Sequence, residues 1–277
     1  MKPTAGSWSR NGKTCFKASK STPDGEWYLR AFYDDGSKLG SKENDECRID
    51  SISQSWSVIS KGAKEERAKT AMQSAWRYLV REEDALSLLL TPPFNKTSKN
   101  PGYIKNYIPG MRENGGQYTH AAVWLAIATS MLGDYHMTQT LFTILNPIHV
   151  TQNRKDVLKY EKEPYVMTAD ISLSPPYTGR GGWSWYTGSA GWMYQGLLSW
   201  FLGIRKEGNE LVIDPATPAS FGDFSIEYKY GRSLYEIRVE SRSKGTLTTD
   251  GITVDDRSIQ GNRVLLADDG EKHLVIV

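Results

Sequence analysis

Residues 117–145 read Gln117-Tyr-Thr-His-Ala-Ala-Val-Trp-Leu-Ala-Ile-Ala-Thr-Ser-Met-Leu132, then Gly133, then Asp134-Tyr-His-Met-Thr-Gln-Thr-Leu-Phe-Thr-Ile-Leu145. Two runs of helical length separated by one glycine are the pattern of a helical hairpin. The device also occurs upstream. Ile49 to Ser60 is followed by a Lys61-Gly62 break and then by Lys64 to Val80, where Ala68, Ala71, Met72, Ala75, Trp76 and Leu79 fall at helical spacing. A fifth helix is expected over Ser189 to Leu202, closed by Gly203 as a C-terminal cap. Between these blocks lie two long irregular stretches, Thr91 to Gly116 and Asn146 to Gly188, rich in Gly, Pro, Tyr and Asn. Loops of that length in a compact domain are usually functional or disordered. Their aromatic content argues against disorder, so a site is expected there.

From Arg205 the period changes to two. Phe224, Ile226, Tyr228 and Tyr230 alternate with Ser225, Glu227 and Lys229, and Tyr235, Ile237 and Val239 alternate with Glu236, Arg238 and Glu240. Gly261-Asn262 and Asp269-Gly270 sit between short apolar runs and read as hairpin turns. The expected fold is therefore mainly α with a C-terminal β unit, a small antiparallel sandwich packed on the helical part. No internal repeat recurs at a fixed period.

The 277 residues carry 34 Lys+Arg against 32 Asp+Glu, a net charge of +2, with 39% hydrophobic residues. That is ordinary globular composition, and the near-neutral balance offers no footprint for nucleic acid. Cys15 and Cys47 are too few for a disulfide framework or a four-thiolate zinc site and are expected as free thiols in a reducing, cytoplasmic compartment. Met1 to Lys20 is polar and lacks the apolar core of a secretory signal. The greasiest run, Ser189 to Ile204, falls short of the ~20 apolar residues of a membrane span. Nine Trp and fifteen Tyr are the compositional oddity, with Trp183, Trp185, Trp192 and Trp200 close together. Their first expected use is core, and their second is stacking on sugar rings.

Two segments are dense in chemistry-bearing groups. Pro109-Gly-Met-Arg-Glu-Asn-Gly-Gly-Gln-Tyr-Thr-His120 runs straight into a helix, and Gly179-Arg-Gly-Gly-Trp-Ser-Trp-Tyr-Thr-Gly-Ser-Ala-Gly191 runs into another. Gly-rich helix starts can cradle an anion with backbone N–H groups, although a tight structural turn is an equal reading of either one alone. The plain reading of His120 is a core imidazole against a Trp. Arg112 and Glu113 weigh against it, because three polar groups before an apolar helix are hard to explain as packing. The second segment is not a P-loop, since the Gly-Lys-Ser/Thr ending is absent. Candidate acids in irregular stretches are Asp34, Asp35, Glu113, Glu163 and Asp170, each equally readable as a solvated charge or a cap. His136 and His149 have no partners at metal-ligand spacing, and no Gly-x-Ser-x-Gly elbow is present.

The motifs Asp24-Gly-Glu-Trp-Tyr-Leu-Arg-Ala-Phe-Tyr-Asp-Asp-Gly36, Glu46-Cys-Arg-Ile-Asp-Ser-Ile-Ser-Gln-Ser-Trp56, Thr91-Pro-Pro-Phe94, Arg112-Glu-Asn-Gly-Gly-Gln-Tyr-Thr-His120, Asn146-Pro-Ile148, Glu163-Pro-Tyr-Val166 and Gly182-Trp-Ser-Trp-Tyr-Thr-Gly-Ser-Ala-Gly-Trp192 resemble glycoside hydrolase family 94. The likeness runs from about Asp24 to about Tyr235. It is nearest to the β-1,2-glucan branch, the β-1,2-oligoglucan phosphorylases and the C-terminal regions of cyclic β-1,2-glucan synthases. It implies the later part of an (α/α)6 barrel over 24–204, a β-sandwich over 205–277, and an unassigned polar segment over 1–23. It also implies inverting phosphorolysis, in which phosphate attacks the anomeric carbon of a β-glucoside and gives α-glucose 1-phosphate. Phosphate is then a co-substrate and no cofactor is needed.

By the resemblance His120, Thr187 and Gly188 bind phosphate. Arg112, Glu113, Gln117 and Tyr118 bind substrate, with Glu113 facing the acceptor sugar. The partners implied are a β-glucan oligosaccharide and phosphate, and a homodimer is allowed for a full-length parent. The family's general acid lies in an Asp-Trp-Asn-Asp loop that does not occur in this sequence. The chain is thus expected to hold phosphate and acceptor contacts without the acid, to be inactive alone, and to associate through unpaired helix faces. Two other readings stand beside this one: an inverting hydrolase with Glu113 as general base, and a glucan- or phosphate-binding module without catalysis.

Overall fold

The computed structural model describes residues 25–240 and 251–277. Cys15 and the polar N-terminal segment 1–23 lie outside them. Six α-helices occur among the described residues: α1 (Ser51–Ile59), α2 (Glu65–Leu79), α3 (Thr119–Met131), α4 (Tyr135–Leu145), α5 (Arg154–Tyr160) and α6 (Thr187–Gly196).

The caps explain where the helices start. Asp50 accepts the Ile52 N–H at α1, Asp134 the Met137 N–H at α4, and Asn153 the Asp156 N–H at α5. Helix α2 buries Ala68, Ala71, Met72, Ala75 and Leu79 along one stripe. Helix α3 is apolar nearly all round, burying Ala121 through Val123 and Leu125 through Ala128. It is the central helix, packed against α1, α4 and α6. The small residues on α3 let its neighbours approach closely.

Local periodicity overruns two helix starts and falls short of a third. Ile49–Asp50 and Gln117–Tyr118, read as helix, are instead short strands paired with Leu90–Thr91 and Asp170–Ile171. Helix α6 begins two residues before Ser189 and its last turn, Leu197–Phe201, is a π-turn. Gly203 follows in the left-handed region, as a cap requires. Helix α5 lies inside a stretch that reads as irregular, because its seven residues are mostly charged and only Tyr160 is buried.

After Gly203 come β1 (Ile204–Glu207), β2 (Glu210–Ile213), β3 (Phe224–Tyr230), β4 (Ser233–Val239), β5 (Thr253–Val254), β6 (Arg257–Ser258), β7 (Arg263–Leu265) and β8 (Lys272–Ile276). The order is β7-β2-β1 in one sheet and β3-β4-β8-β5-β6 in the other. The period-two reading of β3 and β4 holds, and they pair Phe224 with Val239 through Tyr230 with Ser233.

Two expectations fail. β8 runs parallel to β4, so the unit is not purely antiparallel. Neither Gly261-Asn262 nor Asp269-Gly270 closes a hairpin, because β7 belongs to the first sheet while β6 and β8 belong to the second. Turn chemistry is local, and strand partnership is not.

The apolar residues form separate clusters. The largest draws on Trp27, α1 through α4, α6 and Phe201. Another draws on both C-terminal sheets: Ile204, Leu211 and Val264 from one, Tyr235, Ile237 and Val275 from the other. Among the described residues no helix is long and apolar enough to cross a membrane.

His273 clamps the C-terminal sheet. Its ring stacks on Tyr235 at 4.6 Å, with Nδ1 2.7 Å from Asp255 Oδ2 and Nε2 3.2 Å from Asp269 Oδ1. Hydrogen bonding to the two carboxylates raises the imidazole pKa and holds Asp255 below its usual range, while the Glu271 N–H and the Ser233 hydroxyl, with His273 contributing less, hold Asp269 at about 2. A raised histidine stabilises below its unfolded pKa of about 6.5 and loses that contribution as pH rises through the folded value. Depressed aspartates stabilise above about 4 and lose it as pH falls. The clamp is therefore strongest between those limits. A melting-temperature profile that declines from pH 6 to pH 9, and flattens in His273→Asn, is the expected result.

Candidate active-site cleft

The irregular stretch 91–116 is held from inside. Asn114 is fully buried; its Oδ1 accepts the Phe94 N–H at 2.7 Å, and its Nδ2 donates to the carbonyls of Phe94 and Tyr107 at 2.8 Å each. The preceding pair, Arg112 and Glu113, is half-buried beside this knot. Arg112 sits in the left-handed region at φ 50°, a strain that persists only where the surroundings impose it. Its guanidinium lies 4.0 Å over the Trp183 ring and 5.2 Å from Tyr107, and its Nε is 4.0 Å from Glu113 Oε2. Asn114→Ala leaves the Phe94 N–H buried without a partner. An expected loss of about 2 kcal/mol, read by denaturant unfolding, goes with loosening of the Arg112–Trp183 stack.

The two glycine-rich helix starts meet through backbone. Tyr118 pairs with Asp170, the Thr119 N–H donates to Ala169, and the Ala169 N–H donates to Trp183. This lays the start of α3 beside the start of α6. His120 stacks on Tyr118 (5.4 Å, 19°) and meets the edges of Tyr186 and Trp124 at 5.9 and 6.3 Å. Its Nε2 presses on Gly188 so closely that any Cβ there would overlap it. The partially buried imidazole has its pKa lowered by desolvation, and its Nδ1 has no hydrogen-bond partner. No side chain caps α6 at Tyr186, which leaves the first N–H groups of that helix without a capping partner, and Thr187 and Gly188 are both exposed.

The remaining candidates divide. Glu113 is half-buried and its Oε2, 4.0 Å from Arg112 Nε, has no hydrogen-bond partner. Tyr118 is close by; burial first, and then Glu113 and Tyr186, raise its phenol pKa. Gln117 is buried in the floor, where its Oε1 accepts the Ser87 N–H. Glu163 is tied to Trp185, whose Nε1 donates to Oε1 at 3.0 Å. Asp35 is engaged with Ser37 and Lys99, and Asp34 is exposed on the same turn. Asp170 is buried against Gly182 beside the cleft. Cys47 is buried, and burial drives its thiol pKa far up, leaving it inert. From the sequence, Trp183, the plate under Arg112, is noted only within a tryptophan cluster read first as core, and Tyr186, the wall beside His120, is given no role. Their signal was the aromatic density of 183–186, equally compatible with core.

With this cleft described, the comparison with known families is direct: the model of the Glycosyl hydrolase 94 superfamily, catalytic domain, matches residues 11–203. The chain belongs to that superfamily. The match begins upstream of Asp24, so much of the segment read as unassigned lies within it; this catalytic-domain match ends at Gly203, while the likeness to single relatives covers up to 92% of the chain.

Similar proteins include the cyclic β-(1,2)-glucan synthase NdvB of Rhizobium meliloti, 43% identical over 88% of this chain and 9% of the synthase. The solabiose phosphorylase of Paenibacillus borealis is 28% identical over 92% of this chain and 33% of that enzyme. The 1,2-β-oligoglucan phosphorylase of Listeria innocua is 24% identical over half of this chain and 14% of that enzyme. The chain thus spans a third or less of these relatives. Two of these relatives are named as glycoside phosphorylases and one as a β-glucan synthase.

Proposed function

We propose that the cleft is the phosphate and acceptor side of an inverting glycoside phosphorylase that acts on β-1,2-linked glucan and forms α-glucose 1-phosphate. In this reading residues 24–204 are the later part of an (α/α)6 barrel and 205–277 a β-sandwich, a division supported by the separate apolar clusters.

The observation that carries the reading is His120 seated on Gly188 at an uncapped helix start. A helix N-terminus attracts an anion through its free N–H groups and its dipole. Nδ1 of His120 is buried without a partner. A bare lone pair is less costly there than an unpaired N–H, which places the proton on Nε2, toward Thr187 and Gly188. A neutral imidazole then donates to phosphate alongside the helix amides. Glu113 and Arg112 face the acceptor sugar, Glu113 accepting a hydroxyl proton. The aromatic walls Tyr118, Trp183 and Tyr186 present flat apolar faces to sugar rings.

The Asp-Trp-Asn-Asp loop that the resemblance implies for the general acid does not occur in this sequence, and in this reading the chain binds without turnover. Calorimetric titration with inorganic phosphate checks the reading. Saturable binding that His120→Ala weakens is expected, and no binding at millimolar phosphate overturns it. Release of free glucose from β-1,2-glucan without phosphate would favour the hydrolase reading with Glu113 as base.

A further inference from the structure

Asp170 is one of the carboxylates noted in the sequence that the proposed function leaves without a role. It stands where both halves of the cleft attach. Its backbone pairs with Tyr118, two residues before His120, and its carbonyl accepts the Gly182 N–H at 2.8 Å. Its neighbour Ile171 bridges to Gly181, and its other neighbour Ala169 bonds both Thr119 and Trp183.

The side chain continues the junction. The carboxylate lies beside the Trp183 backbone N–H, and Arg112, Glu113 and Lys162 are the charges near it. It lies flat on Gly182, where a Cβ would overlap its oxygens. The group is 5% exposed, and a carboxylate so far from water is costly to keep unless its charge has a task. Arg112, which also faces Glu113 at 4.0 Å, supplies an opposite charge. It holds a strained backbone, its Nε has no hydrogen-bond partner, and its guanidinium must stay over Trp183.

We infer that Asp170 is a positioning residue: its carboxylate fixes Trp183 through the backbone and Arg112 through charge, keeping the acceptor loop in register with the loop that leads into α6. This rests on reading the cleft as a phosphate and sugar site, but the coupling itself is a property of the chain. Asp170 reaches neither ligand directly and acts through Arg112 and Trp183.

Nitrogen-15 NMR of the Arg112 Nε and Trp183 indole signals tests it, with assignments from Arg112→Lys and Trp183→Phe. In the wild-type chain both signals are expected to shift together at one inflection, above the ordinary carboxylate range because burial raises Asp170. Asp170→Asn retains an acceptor for the Trp183 N–H, removes the charge, and is expected to abolish the inflection. Signals that titrate independently, or identically in Asp170→Asn, overturn the proposal. The wild-type titration decides even if that variant does not fold.

A second arm uses calorimetry with sophorose and with inorganic phosphate. Asp170→Asn is expected to weaken sophorose about tenfold, and to add nothing in an Arg112→Met background. Additive losses, which a merely structural role would give, overturn it. A wild-type chain that binds neither ligand refutes the functional reading, while the NMR arm still decides the coupling.

Discussion

Alanine at Gly188 is expected to lower phosphate affinity roughly 30-fold or more while leaving the fold intact, because a charge-assisted hydrogen bond is lost and the anion seat is occupied. Gly188 is the second residue of α6, where alanine is by propensity the better helix former by up to ~1 kcal/mol. The glycine therefore weakens its own helix. The cause is across the cleft: its missing Cβ is the space that His120 Nε2 occupies. A methyl there drives the imidazole off the helix start and off the Tyr118 stack. Phosphate titration of Gly188→Ala beside a thermal melt separates the two effects, with the melting temperature unchanged or raised. The double variant Gly188→Ala/His120→Ala should bind no worse than His120→Ala alone, since the clash has no second target. Phosphate affinity within threefold of wild type in Gly188→Ala would remove His120 and Gly188 from the binding site.

The second large effect concerns stability. Gly203→Ala is expected to cost about 3 kcal/mol or more, from the left-handed backbone penalty and from overpacking together. Gly203 stands at φ 72° between the last turn of the helical part and β1. A Cβ there would lie inside the Asp214 carbonyl and against Pro215. The Asp214 N–H in turn donates to the Gly203 carbonyl at 2.8 Å, and the Ala216 N–H donates to Phe201 at 2.9 Å. The crossing from helix to sheet is therefore a backbone-to-backbone contact with no room for a side chain. Gly133→Ala is the control: it shares the positive φ at 73° but faces open space. It should lose only about 1–2 kcal/mol. Equal denaturant midpoints for the two variants would show that conformation alone, and not the close approach, holds Gly203.

Gly203 and Gly188 also mark the limit of reading a chain without its fold. Gly203 was legible as a helix terminator because a left-handed cap is a local requirement. The helical hairpins were legible because burial on one stripe of α2, and on nearly all of α3, leaves a trace at 3.6-residue spacing. The alternation in β3 and β4 was legible for the same reason at period two. His120, Arg112 and Glu113 stood out because polar groups crowd before an apolar helix. The family motifs linked His120 to Thr187 and Gly188, which the structure places side by side.

What the sequence determined by itself is thus whatever one segment imposes on its own backbone: periodicity, caps, the positions of glycines and the helical class of the first two-thirds. Only the tertiary structure decided who meets whom. It set Gln117 in the floor of the cleft against the Ser87 N–H, paired β8 parallel to β4, and sent the two expected hairpin turns between different sheets. It also converted Asp170 from one carboxylate among five into the junction of two loops. The physical reason is common to all four. Backbone pairing and close approach join residues tens of positions apart, and neither leaves a periodic mark in the residues that take part.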